Sequence, residues 1–132
     1  MPLKIELKPA ERLIVGGAVI TNGEERARLF IEGKAPILRE KYVITRAMAD
    51  TPCKLAYAIV LEMYLAADPA LLHAEYFSTI RQIVTAAPSL MKAVDAMSSA
   101  ILAGDCYEAL KTGRALIDRE ERLLARRGRA CG

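Results

Sequence analysis

This chain of 132 residues contains one histidine, no tryptophan and three cysteines. Each scarcity excludes something. Any serine–histidine or cysteine–histidine device would have to use His73, which follows Leu71-Leu72 on an apolar helical stretch and reads as a surface or capping residue. Cys53, Cys106 and Cys131 are odd in number, widely spaced and form no Cys-x-x-Cys pair. That argues against a disulfide frame or a zinc site and fits reduced thiols in a cytoplasmic protein. Lys54, Glu62 and Asp68 interrupt the longest apolar stretch, so it falls short of a membrane span. MPLKIELKP alternates and carries charge, so no secretory leader is expected. Gly16-Gly17 is too short to cradle a phosphate and no helix start follows it. Glu24-Glu25 fall at an expected turn, too open for acid–base work. Neither an enzyme nor a cofactor or bound metal is expected.

What the chain does have is apolar residues, at 53%, enough for a real core. The net charge of +3 is mild and permits an RNA or acidic partner. Its distribution is uneven. Residues 1–50 hold nine Lys/Arg against seven Asp/Glu, residues 51–104 three against four, and residues 105–132 seven against five. A nearly uncharged centre between charge-rich ends reads as a buried helical middle with solvated flanks.

The order of elements is legible in the periodicity. Leu3, Ile5 and Leu7 alternate with Lys4, Glu6 and Lys8, which is a half-buried strand ended by Pro9. Leu13 to Val15 and Ala18 to Ile20 read as one β-rich run up to Thr21-Asn22-Gly23. Asn-Gly is the strongest short hairpin signal, so the expectation is a hairpin there, with Ala27, Leu29 and Ile31 on the returning strand. Ile37-Leu38 is a last short run. Thr51-Pro52 then starts a helix to about Ala67, and Asp68-Pro69, Pro88-Ser89 and Gly104-Asp105 punctuate three more. The expected fold is α+β: a small N-terminal antiparallel sheet of three to five strands, residues 1–48, followed by a four-helix bundle, residues 51–127, and a basic tail, residues 128–132.

With no catalytic set, binding is the remaining chemistry. Lys4, Lys8, Arg12, Arg28, Arg39 and Lys41 lie on or beside short strands. Such a set is either a solvated face or a surface that meets phosphates while strand edges meet unpaired bases. Phe30 and Tyr42 are the aromatics placed for stacking beside the sheet. On the first helix, Tyr57, Leu61 and Tyr64 offer a second, apolar surface for a protein partner, together with the stripe Leu72, Tyr76 and Ile80.

The runs LKPAERLIVGGAVITN, RARLFIEGKAPILREKYVI, TPCKLAYAIVLEMYLA and GDCYEALKTGRALI together resemble the FlbT family of flagellum biosynthesis repressors over nearly the whole chain. The resemblance implies a post-transcriptional regulator that binds the 5′ untranslated leader of flagellin mRNA, represses its translation and promotes its degradation. The N-terminal part is also similar to the carbon storage regulator CsrA, a small β dimer that binds leader RNA. ERLIVG is similar to its GESIIIG run, RLFIEGKAP to its RLGINAP run, and REKYV to REEIY. By that likeness Lys8 falls on a basic strand-one residue and Arg39 on an arginine that contacts RNA. The neighbouring strand-one arginine of that family falls on Leu7 here, and only Ile37 and Leu38 separate Pro36 from Arg39.

Two functions follow as alternatives. One is an RNA-binding repressor working through the sheet, as a homo-oligomer, with a dimer the simplest case. The other is a protein-interaction regulator whose helices bind flagellin or another flagellar assembly protein. No DNA or membrane partner is expected in either.

Overall fold

The computed structural model describes residues 3–131, apart from the side chains of Lys41 and of residues 127–131. It divides into two compact units, Met1–Val43 and Ile44–Gly132. The side chains of the expected basic tail, residues 128–132, lie outside the described residues.

The first unit holds five strands: β1 (Leu3–Leu7), β2 (Arg12–Val15), β3 (Ala18–Thr21), β4 (Ala27–Ile31) and β5 (Ile37–Arg39). They form two antiparallel sheets, β1 with β4, and β3-β2-β5. Ile5, Leu7 and Leu13 make a shared core, with Val15, Leu29, Ile31 and Ile37 packed against it. The period-two pattern of β1 holds at Ile5 and Leu7, which are buried while Lys4 and Glu6 face out; Leu3, at the end of the strand, is exposed.

The hairpin at Asn22-Gly23 is not there. β3 turns back onto β2 through Gly16-Gly17, with Val15 opposite Ala18, and β4 pairs with β1 instead. Gly16 takes φ +59° and Gly17 does not take a positive φ. Positive φ at the first central residue alone is the pattern of a type II′ turn, whose twist suits a two-residue hairpin. Asn22 has another task. Its side-chain amide donates to the carbonyls of Leu7, Lys8 and Glu25, tying the end of β1 to the approach of β4.

The second unit holds four helices: α1 (Pro52–Leu65), α2 (His73–Ala86), α3 (Met91–Leu102) and α4 (Cys106–Cys131). Short 3₁₀ turns lead into α2 and α3, at Pro69–Leu72 and Pro88–Leu90. The caps follow the sequence. Thr51 accepts from Lys54 N–H, Asp68 from Ala70 N–H and Asp105 from Glu108 N–H. Gly104 closes α3 at φ +81°. α1 is the central helix, packed on α2 and α4, and α3 packs on α4. Its apolar character on nearly all sides is burial within this bundle: Cys53, Ala56 to Leu61 and Met63 are all buried. Tyr57 packs against α4 at Gly113. A Cβ added to Gly113 would lie 3.0 Å from its ring and 3.2 Å from the Met97 sulfur.

Candidate nucleic-acid interface

The β1–β4 pair builds a charged surface of the first unit. Antiparallel register sets Lys4 opposite Phe30 and Glu6 opposite Arg28. Because side chains alternate, these four share the outer face while Ile5, Leu7 and Leu29 turn inward. All four outer residues are exposed. Arg28 Nη2 lies 3.4 Å from Glu6 Oε1. Arg39 arrives from β5, and its guanidinium donates to the Glu6 carbonyl oxygen at 3.4 Å. Arg26, Ala27, Arg28 and Glu6 line a shallow hollow beside them. Arg28 and Arg39 thus meet β1 at Glu6, one at its carboxylate and the other at its backbone carbonyl, and Lys4 stands two residues along on the same face. One exposed ion pair of this kind contributes little to stability, so the grouping leaves cations available to an anionic ligand.

Lys8 and Arg12 are held by other partners. Lys8 opens the turn Lys8-Pro9-Ala10-Glu11. Its backbone N–H donates to Glu11 Oε1 at 2.8 Å, and Glu11 N–H returns to the Lys8 carbonyl at 3.1 Å. The side chain of Lys8 remains exposed. Arg12 is half-buried on β2, with Nε 3.7 Å from Glu40 Oε1. The side chain of Lys41 lies outside the described residues. Sequence reasoning missed Glu6 as the residue that Arg28 and Arg39 both contact. The alternation of β1 and β4 carries half of that signal, but the approach of Arg39 from the other sheet is a tertiary fact.

The helical surface expected from Tyr57, Leu61 and Tyr64 needs correction. Tyr57 is 1% exposed and Leu61 5%, because α1 is packed on α2 and α4, with Gly113 of α4 at the Tyr57 ring. They serve packing and cannot be reached by a partner in this fold. Tyr64 does reach the surface, half-buried, with its ring 6.2 Å from that of Tyr107. Lys111 Nζ stands 5.4 Å from the Tyr107 ring. Tyr76 is buried and bonds Ser98 Oγ at 2.9 Å.

A cleft of about 430 Å³ opens in the helical unit, lined by Cys53, Ile83, Ala86, Leu90, Glu120 and Leu124 among others. Glu120 is buried, and its carboxylate accepts from the Thr51 hydroxyl and, at 3.2 Å, from Cys53 N–H. A carboxylate at the start of α1 is well placed against the positive end of that helix. Burial, and then the hydrogen bond to Glu120, push the Cys53 thiol up, so it stays protonated and is no nucleophile. Among the described residues no group of three or more His, Cys, Asp and Glu could hold a metal ion. No described helix is long and apolar enough to cross a membrane.

The family model described as "Flagellar protein FlbT" matches residues 3–124. A "Probable flagellum biosynthesis repressor protein FlbT 1" of Bradyrhizobium diazoefficiens is 52% identical over 124 residues, 93% of this chain and 85% of that protein. A "Probable flagellum biosynthesis repressor protein FlbT" of Rhodopseudomonas palustris is 45% identical across 96% of this chain and 100% of its own length. The "Flagellum biosynthesis repressor protein FlbT" of Caulobacter vibrioides is 35% identical across 94% of this chain and 90% of its own. No solved structure matches.

Proposed function

Because this chain belongs to the FlbT family of flagellar proteins, we propose that it represses flagellum biosynthesis after transcription, by binding the 5′ untranslated leader of flagellin mRNA, lowering its translation and promoting its decay. The observation that carries this reading is the placing of Lys4 and Arg28 on one exposed face of the β1–β4 pair, with Arg39 held to the Glu6 backbone of the same strand. Cations on a small sheet can meet phosphates while leaving base edges to the backbone and to neighbouring side chains. Lys8, exposed in its turn, extends the set; Arg12, engaged with Glu40, contributes less.

In this reading the bound protein covers the leader, hinders initiation and leaves the message open to nucleases. The test is anisotropy of a labelled flagellin leader titrated with purified protein at two salt concentrations. Binding that weakens with salt, and weakens further in Arg39→Ala, supports it. No binding at low salt sinks it.

A second copy of the chain is the natural partner for β3. That edge strand is exposed along its whole length and carries no charge from Ala18 to Thr21. Uncharged, exposed edges pair readily with another chain. Val19→Lys is expected to convert a dimer to a monomer in size-exclusion chromatography with light scattering; a wild-type monomer removes this part of the reading.

The helical unit offers a second reading, recognition of flagellin or another flagellar assembly protein. It is favoured by the apolar cleft, where Leu124 is 48% exposed, and by Tyr64 at the surface. Co-purification of a flagellar protein with a chain that binds no RNA would prefer it.

A further inference from the structure

Phe30 is the one exposed aromatic among the described residues, at 63% exposure. The other phenylalanine and all five tyrosines are buried or half-buried. Leaving a phenylalanine in water forgoes the free energy of burying its ring. An aromatic kept outside a sheet therefore asks for an occupant, and its neighbours say which kind. Directly across the strand pair stands Lys4. Two residues along β4 on the same face stands Arg28, opposite Glu6, and Arg39 reaches the Glu6 carbonyl. The outward-facing neighbours of Phe30 in the β1–β4 register are charged rather than apolar.

That combination separates two kinds of ligand. A protein hot spot places its aromatic within a wider apolar patch that excludes water. Phe30 has no such surround in its strand pair. A base needs only a flat face, and its flanking phosphates need cations at the rim; a single aromatic bordered by Lys and Arg supplies both. The bases must be unpaired, because in a duplex their faces are already stacked. Base–aromatic stacking is also tolerant of sequence, since every base has a π-face.

We propose that Phe30 is a stacking platform for an unpaired nucleotide base, with Lys4 and Arg28 taking the adjoining phosphates. The inference rests on the RNA-binding reading above and specifies its ligand: a single-stranded segment of RNA rather than a helical stem. Phe30 would hold the base by its face, so this position reads strandedness and not base identity.

The absence of tryptophan makes the test direct. Phe30→Trp introduces the chain's sole tryptophan at the site itself. Titrating that variant with a short unstructured oligoribonucleotide should quench its fluorescence while affinity stays near that of the natural chain. The same sequence annealed into a duplex should quench it little. Phe30→Ala should lose about 5- to 150-fold in single-strand affinity, with the salt dependence unchanged. Lys4→Gln should instead make that dependence shallower by ~0.7 in the log–log slope. Amide exchange in β1 and β4 checks that Phe30→Ala remains folded, as expected for so exposed a side chain. If the natural chain binds RNA and Phe30→Ala binds equally well, the stacking role is overturned while the RNA reading stands. If the natural chain binds no RNA at low salt, both fall. If Phe30→Ala changes the oligomeric state, a second copy covers the ring, and the stacking role is overturned.

Discussion

The side-chain amide of Asn22 donates to the carbonyl oxygen of Lys8 at 2.8 Å, and the same nitrogen reaches the Glu25 carbonyl at 2.8 Å and that of Leu7 at 3.2 Å. Its two hydrogens thus serve three carbonyls, and Gly23 N–H donates back to Asn22 Oδ1 at 2.9 Å. One side chain fixes where β1 ends and where β4 begins, and so the register that puts Lys4 opposite Phe30.

Asn22→Ala should cost ~0.5–1.5 kcal/mol, because three carbonyls, one of them part-buried, lose their donor. Asn22→Asp should cost more at neutral pH, since a carboxylate cannot donate and sets a charge among carbonyl oxygens. Amide exchange in β1 and β4 is the measurement. Protection equal to that of the natural chain in both variants would show that the strands hold their register without this clamp.

Ala10 carries a positive φ of 63°, the one such non-glycine among the described residues. It occupies the third place of the turn Lys8-Pro9-Ala10-Glu11, where a proline in second place and positive φ in third make a type II turn. For an L residue with a Cβ that conformation costs about 1–2 kcal/mol. Glycine removes the penalty but frees the unfolded chain, offsetting ~0.4–1 kcal/mol. Ala10→Gly should therefore stabilise the first unit by up to ~1 kcal/mol, and Ala10→Val should destabilise it. Urea unfolding distinguishes the two; the same sign for both would contradict a strained turn.

Those two positions also mark the limit of what the sequence discloses. The period-two alternation of β1 correctly sends Ile5 and Leu7 inward, and Thr51-Pro52 correctly starts α1. These signals are local, so they survive in a linear reading. Asn22-Gly23 misleads because a hairpin dipeptide and a side-chain clamp use the same residue for different reasons. The true hairpin, at Gly16-Gly17, sits inside what reads as one continuous apolar run. Tyr57 and Leu61 look like an interface because a helix apolar on all sides reads the same whether it is buried in its own bundle or against a partner. The cation set was legible as a list of residues. That Arg28 and Arg39 meet at Glu6 depends on two sheets meeting, and no spacing along the chain encodes that.

Arg46 supplies a pH-dependent element in the helical unit. Its guanidinium donates to both oxygens of Glu75, one at 2.8 Å, and to Glu62. The hydrogen bonds to Arg46 hold the Glu75 carboxyl below its ordinary value of 4.5. A carboxyl depressed by folding stabilises the folded state above its unfolded value, and that contribution is lost as pH falls through the folded value. Arg46→Gln should lower the melting temperature slightly at pH 7, less so in high salt. The difference from the natural chain should shrink as the pH falls below 4.5 and Glu75 takes up its proton. A difference that persists at strongly acid pH would assign the effect to packing rather than charge.

The central claim is that the cations of the β1–β4 surface hold a flagellin leader, and the most direct measurement is the salt dependence of that binding. Log affinity plotted against log salt should be linear for the natural chain. Arg39→Ala should weaken binding by ~1–3 kcal/mol if it reads a base edge. If it contacts a phosphate, the variant should instead flatten the slope by ~0.7. Binding by a folded Arg39→Ala chain with the affinity and the slope of the natural protein, or no binding by the natural protein at low salt, would contradict the account.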